Sequence, residues 1–217
     1  RKKWPCTFIS TKKDAWTETL TGVQDLVVAG IGSIFAIKQN GDLFVTGYNN
    51  YGNLGVGTSS NVITWRDTGL KNVKYVGWGD YENTLVIDDS NSLYVAGKNT
   101  TGSLGVGHTS EHGTFTKVLD NVKQAYAGSK YVSYALKSDG TVWASGENGN
   151  GQLGVGSTTD SSVWQQMINV TNINKISFPK HLSYVNLYMI DDNGDLWAVG
   201  RNSDGQLGAG DKVDKQT

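Results

Sequence analysis

Cysteine is nearly absent from this chain of 217 residues, with Cys6 the only one. A single thiol excludes an internal disulfide framework and any zinc site built from cysteines alone. Long hydrophobic runs are missing as well. No apolar stretch approaches the roughly 18 residues a membrane-spanning helix needs, and no hydrophobic segment of a signal peptide follows the basic start. An excess of one charge is the third absence. The 19 Lys plus Arg balance 20 Asp plus Glu, which leaves no footprint for nucleic acid or an anionic membrane across the surface. Five of the basic residues (Arg1, Lys2, Lys3, Lys12 and Lys13) crowd the first 13 positions, where they read as a solvated terminus. Helical periodicity is the fourth absence, since no window of the chain shows it.

What the chain has in abundance is glycine, 28 residues in all, and much of it recurs in one pattern. Gly52-Asn53-Leu54-Gly55-Val56-Gly57 returns as Gly102-Ser103-Leu104-Gly105-Val106-Gly107, as Gly151-Gln152-Leu153-Gly154-Val155-Gly156 and as Gly205-Gln206-Leu207-Gly208-Ala209-Gly210. Glycine is needed where the backbone takes positive φ or presses on another backbone, and a lone leucine among glycines reads as a plug for a core. The stretch is thus expected to be a corner that folds back and locks on its own strand.

The period is close to 50 residues. Trp16, Trp65, Phe115 and Trp164 follow one another at 49, 50 and 49 residues, and the corner leucines at 50, 49 and 54. Each unit reads as four short strands. An aromatic strand such as Trp65–Thr68 comes first, then one such as Val73–Val76. A loop leads to the third strand, for example Phe35–Ile37, and a tight turn such as Asn40-Gly41 or Asp139-Gly140 leads to the fourth, for example Leu43–Thr46. The last strands are apolar on both faces, so they must be covered on both sides. A sheet of this size cannot bury its own faces, and stacking on like sheets is the remedy.

The expected fold is therefore all-β, a β-propeller of four-stranded antiparallel blades of about 50 residues. The repeats are placed at approximately 16–64, 65–114, 115–163 and 164–217, with residues 1–15 a strand or connector of a neighbouring blade. An incomplete ring, part of a longer polypeptide, is favoured over closure by four blades. Other blades or subunits would then complete it.

The hairpin glycine, Leu196-Trp197-Ala198-Val199-Gly200, Arg201-Asn202 and the last glycine corner together resemble the regulator-of-chromosome-condensation family, over about residues 16 to 213. The resemblance implies a ring-shaped propeller, usually of seven blades. Its members include a nucleotide-exchange factor for a small GTPase, an inhibitor of β-lactamases and modules that simply bind proteins. Trp65, Phe115 and Trp164 stand where the family usually has a connector proline, and Ser33, Asn83 and Ser133 where it often has a histidine.

Chemistry is harder to find. His108 and His112 flank Glu111 at a helical metal-binding spacing, but in a connector without helical pattern they read as a solvated loop. Asp191, Asp192 and Asp195 surround the Asn193-Gly194 turn and read as turn formers, because the closing glutamate of a calcium loop is missing. Asn49, Asn99, Asn148 and Asn202 occupy one place in every repeat, as residues that satisfy loop backbone would. No nucleophile, base and orienting acid occur at a recognisable spacing, and no phosphate-cradling loop precedes a helix. A hydrolase or lyase lacks an acid and base pair to name. No cofactor, metal or catalytic residue is expected.

Loops that differ between repeats are where binding is expected. The loop between second and third strands carries Trp78 and Tyr81 in one repeat and Lys130 and Tyr131 in the next. In the last it carries the insertion with His181 and Tyr184. Tyr48 and Tyr51 beside the first glycine corner form a second cluster. Large rings suit both protein interfaces and sugar stacking, and blade-to-blade packing is the competing use of Trp78 and Tyr131. The expectation is a non-enzymatic module that presents loops to a protein or surface glycan. Composition hints at a bacterial or phage surface assembly, which would be extracellular, cell-surface or virion-borne. The alternative, from the resemblance alone, is a regulator of a small GTPase or a protein inhibitor of an enzyme.

Overall fold

A computed structural model describes residues 17–30, 32–79, 82–127, 131–178 and 186–217. The segment 1–15 lies outside them. All the described elements are strands, fifteen in chain order. Blade 1 comprises β1 (Val23–Ala29), β2 (Ser33–Lys38), β3 (Leu43–Gly47) and β4 (Val62–Asp67). Blade 2 comprises β5 (Val73–Trp78), β6 (Asn83–Asp88), β7 (Leu93–Gly97) and β8 (His112–Leu119). Blade 3 comprises β9 (Val122–Ala127), β10 (Val132–Lys137), β11 (Val142–Gly146) and β12 (Ser161–Gln166). Blade 4 holds β13 (Ile173–Ser177), β14 (Asn186–Asp191) and β15 (Leu196–Gly200), with a single antiparallel bridge from Gly200 to Lys215 where a fourth strand would lie. The strands of each sheet pair in sequence order and antiparallel, so the all-β propeller architecture holds. Among the described residues no helix is long and apolar enough to cross a membrane.

The sheets are offset from the sequence units. The aromatic strand that opens each of the last three units in the sequence closes the preceding sheet, so Trp65 lies in β4 beside β3, Phe115 in β8 beside β7, and Trp164 in β12 beside β11. A strand pairs with whichever edge the connecting corner brings it to, and the glycine corner returns the chain to the strand it has just left.

The corner itself does more than return. Each corner leucine is fully buried in blades 1 to 3, as Leu54, Leu104 and Leu153. The glycines around it dock on the outer strand of the next blade rather than on their own. A Cβ on Gly55 would lie 2.2 Å from Cδ2 of Phe115, and one on Gly105 would lie 2.2 Å from Cδ1 of Trp164. Gly57 N–H donates to the Gly113 carbonyl and Gly107 N–H to the Ser162 carbonyl, each at 2.8 Å. Val56 and Val106 form antiparallel bridges to Thr114 and Val163. The expected lock on its own strand is thus a lock between blades, because an aromatic ring can lie flat only where no side chain projects.

Inside the corner stands the repeated asparagine. In blade 2 the Asn99 amide nitrogen donates to the His108 and Ser110 carbonyls at 2.7 and 3.1 Å, and its oxygen accepts from Leu104 N–H at 2.9 Å. Asn49, Asn148 and Asn202 repeat the arrangement, and all four are fully buried. One side chain thereby satisfies three backbone groups of a loop that has no ladder of its own.

The core is a set of seams. Phe35, Ile37, Leu43, Val45 and Leu54 of blade 1 meet Val73, Val76 and Val86 of blade 2. Leu85, Ile87, Leu93 and Leu104 meet Val122, Ala125 and Trp164 at the next seam, and Tyr134, Leu136, Val142 and Leu153 meet Ile173 and Ile176 at the third.

Two comparisons test this account. Replacing Gly105 with alanine drives a methyl into the Trp164 ring and should cost about 3 kcal/mol or more. The same change at Gly208, where no atom comes within 4 Å, should cost only the roughly 1 kcal/mol of left-handed backbone. Asn99→Ala strips partners from three backbone groups and should cost about 3 kcal/mol. Denaturant melts measure all three, and equal losses for the two glycine variants would sink the socket.

Candidate functional site

Antiparallel pairing in chain order puts the loops between first and second strands on one rim, together with the glycine corners. The hairpin turns and blade connectors fall on the opposite rim. On the second rim the turns are held by matched cross-strand pairs. Lys38 and Lys137 lie over the rings of Phe44 and Trp143, with Nζ 5.4 and 4.9 Å from the centroids. At the same places in the other two blades, Asp88 accepts from the Tyr94 hydroxyl and Asp191 from the Trp197 indole, both at 3.1 Å. The Asp191 carboxylate also accepts from Asn193 and Asp195 N–H at 2.9 Å, and these bonds, the indole's foremost, hold it below the usual carboxylate range. Asp191 is spent on its turn. Among the described residues no three His, Cys, Asp or Glu side chains gather as a metal would require.

The first rim carries the variable loops. Tyr81, Lys130, His181 and Tyr184 lie outside the described residues. Trp78 ends β5 half-buried in the seam between blades 1 and 2, where its ring would lie 3.3 Å from a Cβ on Gly30. Tyr131 and the pair Tyr48 and Tyr51 come together, around a residue the sequence reading passed over. Lys98 Nζ sits 4.4 Å from the Tyr51 ring centroid, 5.9 Å from that of Tyr131 and 3.5 Å from the Glu82 carboxylate. The Tyr48 hydroxyl stands 3.5 Å from the other Glu82 oxygen.

The backbone explains why these groups meet. Glu82 and Tyr131 each precede a second strand in the left-handed region, at φ 63° and 62°, a conformation that costs a side-chain-bearing residue about 1 kcal/mol. Their carbonyls accept from Lys98 and Glu147 N–H at 3.1 and 3.0 Å, and the Thr101 hydroxyl donates to the Tyr131 carbonyl at 2.9 Å. This close approach is open only to glycine at the strand ends, since a Cβ on Gly97 or Gly146 would lie 2.3 or 2.0 Å from those same carbonyl oxygens. Beneath the rim, Ser33 accepts from Asn53 at 2.8 Å, and the next blade exchanges the partners, with Asn83 opposite Ser103.

Burial alone would pull the Lys98 ammonium down. Glu82, Tyr51 and Tyr131 outweigh it, and the net shift is upward. Burial and then the Glu82 carboxylate push the Tyr48 hydroxyl up. The rim therefore sets the Lys98 ammonium beside the Glu82 carboxylate, among the rings of Tyr48, Tyr51 and Tyr131. Ring contact and ion pairing are the interactions that such a group of side chains offers. The signal that could have found Lys98 lies one residue before the repeated asparagine, where Tyr48, Lys98, Glu147 and Arg201 differ in every unit.

No protein-family model matches the sequence, and no curated protein does. Solved structures do. Yeast RCC1 (Prp20), in its crystal structure bound to Kap60, superposes with a TM-score of 0.72 at 19% identity, over 92% of this chain and 49% of that one. A second crystal structure, of Prp20p from Saccharomyces cerevisiae, gives 0.71 at 19% over 94% and 51%. The fold is that of the RCC1-type β-propeller. Human WBSCR16 agrees, at 0.70 and 19% identity over 92% and 53%. The chain thus spans about half the length of these RCC1-type structures, and its four blades are an incomplete ring on that scale.

His112 offers a check on the rim connector. Its Nε2 lies 2.6 Å from the Thr116 hydroxyl and its ring 5.8 Å from that of His108. Burial first, and His108 second, hold its imidazole below the ordinary 6.5. The unfolded chain therefore takes up the proton first, and the contribution of this histidine, full above about pH 6.5, shrinks as the pH falls. His112→Gln should flatten that part of the stability–pH curve in paired melts from pH 7.5 to 5. An unchanged slope would contradict the assignment. Trp78→Ala should cost about 3 kcal/mol as a seam residue, read by the same melts.

Proposed function

We propose that this chain is a non-enzymatic protein-binding module that holds another protein on the rim around Lys98, Tyr51, Tyr48, Glu82 and Tyr131. One observation carries the reading. Within a scaffold whose asparagines and glycines repeat in every blade, the position before the asparagine takes Tyr48, Lys98, Glu147 and Arg201 in turn, all half-buried on one rim. A structural requirement would have repeated with the scaffold, whereas a surface made to fit a partner need not. Tyrosine and arginine are also the residue types that dominate protein interfaces.

The similar structures lend support to a protein partner. The Prp20p structure is described with its binding to Gsp1p and histones, and yeast RCC1 was solved bound to Kap60. Those partners support a protein ligand, and with it the regulatory reading, in which the module acts on a GTPase or restrains an enzyme. The glycan reading rests on loop rings that suit a protein interface as well, and the virion reading on composition alone, so a protein is the partner we assign.

The test is a binding screen of the chain against a nucleotide-loaded GTPase panel and a set of β-lactamases, read by nucleotide release, inhibition and direct binding. A bound protein should lose roughly 5- to 30-fold in affinity to Lys98→Glu and to Tyr51→Ala, an effect of about 1–2 kcal/mol, with melting temperatures held within a few degrees. Affinity that survives both substitutions would move the site off this rim. A screen without release, inhibition or binding would retire the regulatory reading.

A further inference from the structure

The seams repeat, so a seam that departs from its neighbours shows where space has been made. One place in the first strand is taken by Leu26, Val76 and Ile176 in blades 1, 2 and 4, and by Ala125 in blade 3. On the facing strand β5, Gly77 stands where the other blades carry Val27, Tyr126 and Ser177. The Tyr75 ring lies down over it, for a Cβ on Gly77 would come within 3.0 Å of both Cε1 and the hydroxyl. Two small residues thus open the seam between blades 2 and 3.

What they leave is a cavity of about 270 Å³ between β5 and β9, lined by Tyr75, Ile87, Ala125 and Tyr126 and by the exposed Lys74 and Lys123. An apolar cavity of about 150 Å³ holds one benzene ring, so two fused rings have room here. Burial, with Tyr126 second, pushes the Tyr75 hydroxyl up to about 12 and keeps it a neutral donor. Among the described residues no Asp or Glu lines the cavity, and Lys74 and Lys123 pair with no carboxylate, whereas Lys71, Lys98, Lys117 and Lys215 do. Lys74 donates instead to the Asn91 side-chain oxygen. The seam between blades 1 and 2 opens as well, but there Asp25, Asp89 and Gln39 face the space beside Lys74. The second seam joins rings to positive charge, that of Lys123 above all, which no acid within it offsets.

We propose that this cavity binds a small planar aromatic anion, a bicyclic carboxylate or sulfonate. Its rings enter between Tyr75 and Tyr126 over Ile87 and Ala125, and its negative group stays at the mouth, where Lys123 and Lys74 reach it. Apolar walls with a few convergent polar groups are what small-molecule sites are built from, and ring against ring adds to the area buried. Blades 2 and 3 supply every wall. None of these residues belongs to the rim around Lys98, so the site is independent of the protein-binding reading.

Titrating the chain with 2-naphthoate, followed by nuclear magnetic resonance, should move the backbone amides of β5 and β9 with a single dissociation constant on the order of 0.1 mM. The same rings with the opposite charge, as 2-naphthylmethylammonium, should bind roughly 10-fold more weakly. Ala125→Val gives blade 3 the side chain that blade 2 carries at Val76, so it should abolish binding while the melting temperature stays or rises. Lys123→Gln should weaken 2-naphthoate roughly 5-fold, and Lys74→Gln less. Both lysines are exposed, so these variants decide the matter whatever Ala125→Val does to folding. Absent or misplaced shifts would overturn the proposal, as would equal affinity for the cation, affinity untouched by Lys123→Gln, or binding that survives Ala125→Val.

Discussion

Everything in this molecule depends on one contact, the fit of a glycine corner against an aromatic ring on the neighbouring blade. A four-stranded sheet of short strands has two apolar faces and no second layer of its own, so its stability is borrowed from the sheets on either side. The corner converts that need into a specific geometry. Absence of a side chain at Gly55 and Gly105 lets Phe115 and Trp164 lie flat, while the buried leucine between the glycines fills the seam below. The asparagine at the base of the corner makes the loop rigid enough to offer that surface. Without its three hydrogen bonds the loop would carry unsatisfied backbone into the core.

The same economy explains where recognition can sit. Positions that hold the corner together cannot vary, so variation is confined to side chains that point away from it on the same loops. Lys98 follows Gly97 and precedes Asn99, two residues with no freedom, yet its own side chain reaches across to Tyr51, Glu82 and Tyr131. The left-handed residues Glu82 and Tyr131 belong to the same device. Their strained backbone lets the second strand begin close beneath the corner, and that brings loops of different blades within reach of one cation. A rigid frame with variable tips is what a binding surface needs, because little ordering entropy is then lost on association.

Much of this was legible in the residues. Fifty-residue periodicity, turn dipeptides and apolar strands lead to stacked four-stranded sheets, because those signals are local and repeated four times. The role of the asparagines was legible for the same reason. The rim was only half legible. Tyr48, Tyr51 and Tyr131 stand out as rings in loops, but Glu82 and Lys98 are ordinary charges until the fold sets them side by side. For Trp78 the sequence leaves a surface anchor and a ring between blades both open, and the packing shows its ring lying against Gly30 between two blades.

The chain's own residues therefore determined the unit: which stretches are strands, where they turn, and that no unit could stand alone. Local propensity and the spacing of apolar side chains suffice for that, since they act within a few residues. Tertiary structure decided the partners: that the strands of Trp65, Phe115 and Trp164 close the sheet before them, that the corners of blades 1 to 3 grip the blade after them, and that a lysine from one blade gathers tyrosines from two others. Those choices join residues tens of positions apart, and only the angle at which one sheet leans on the next brings them within a few ångströms.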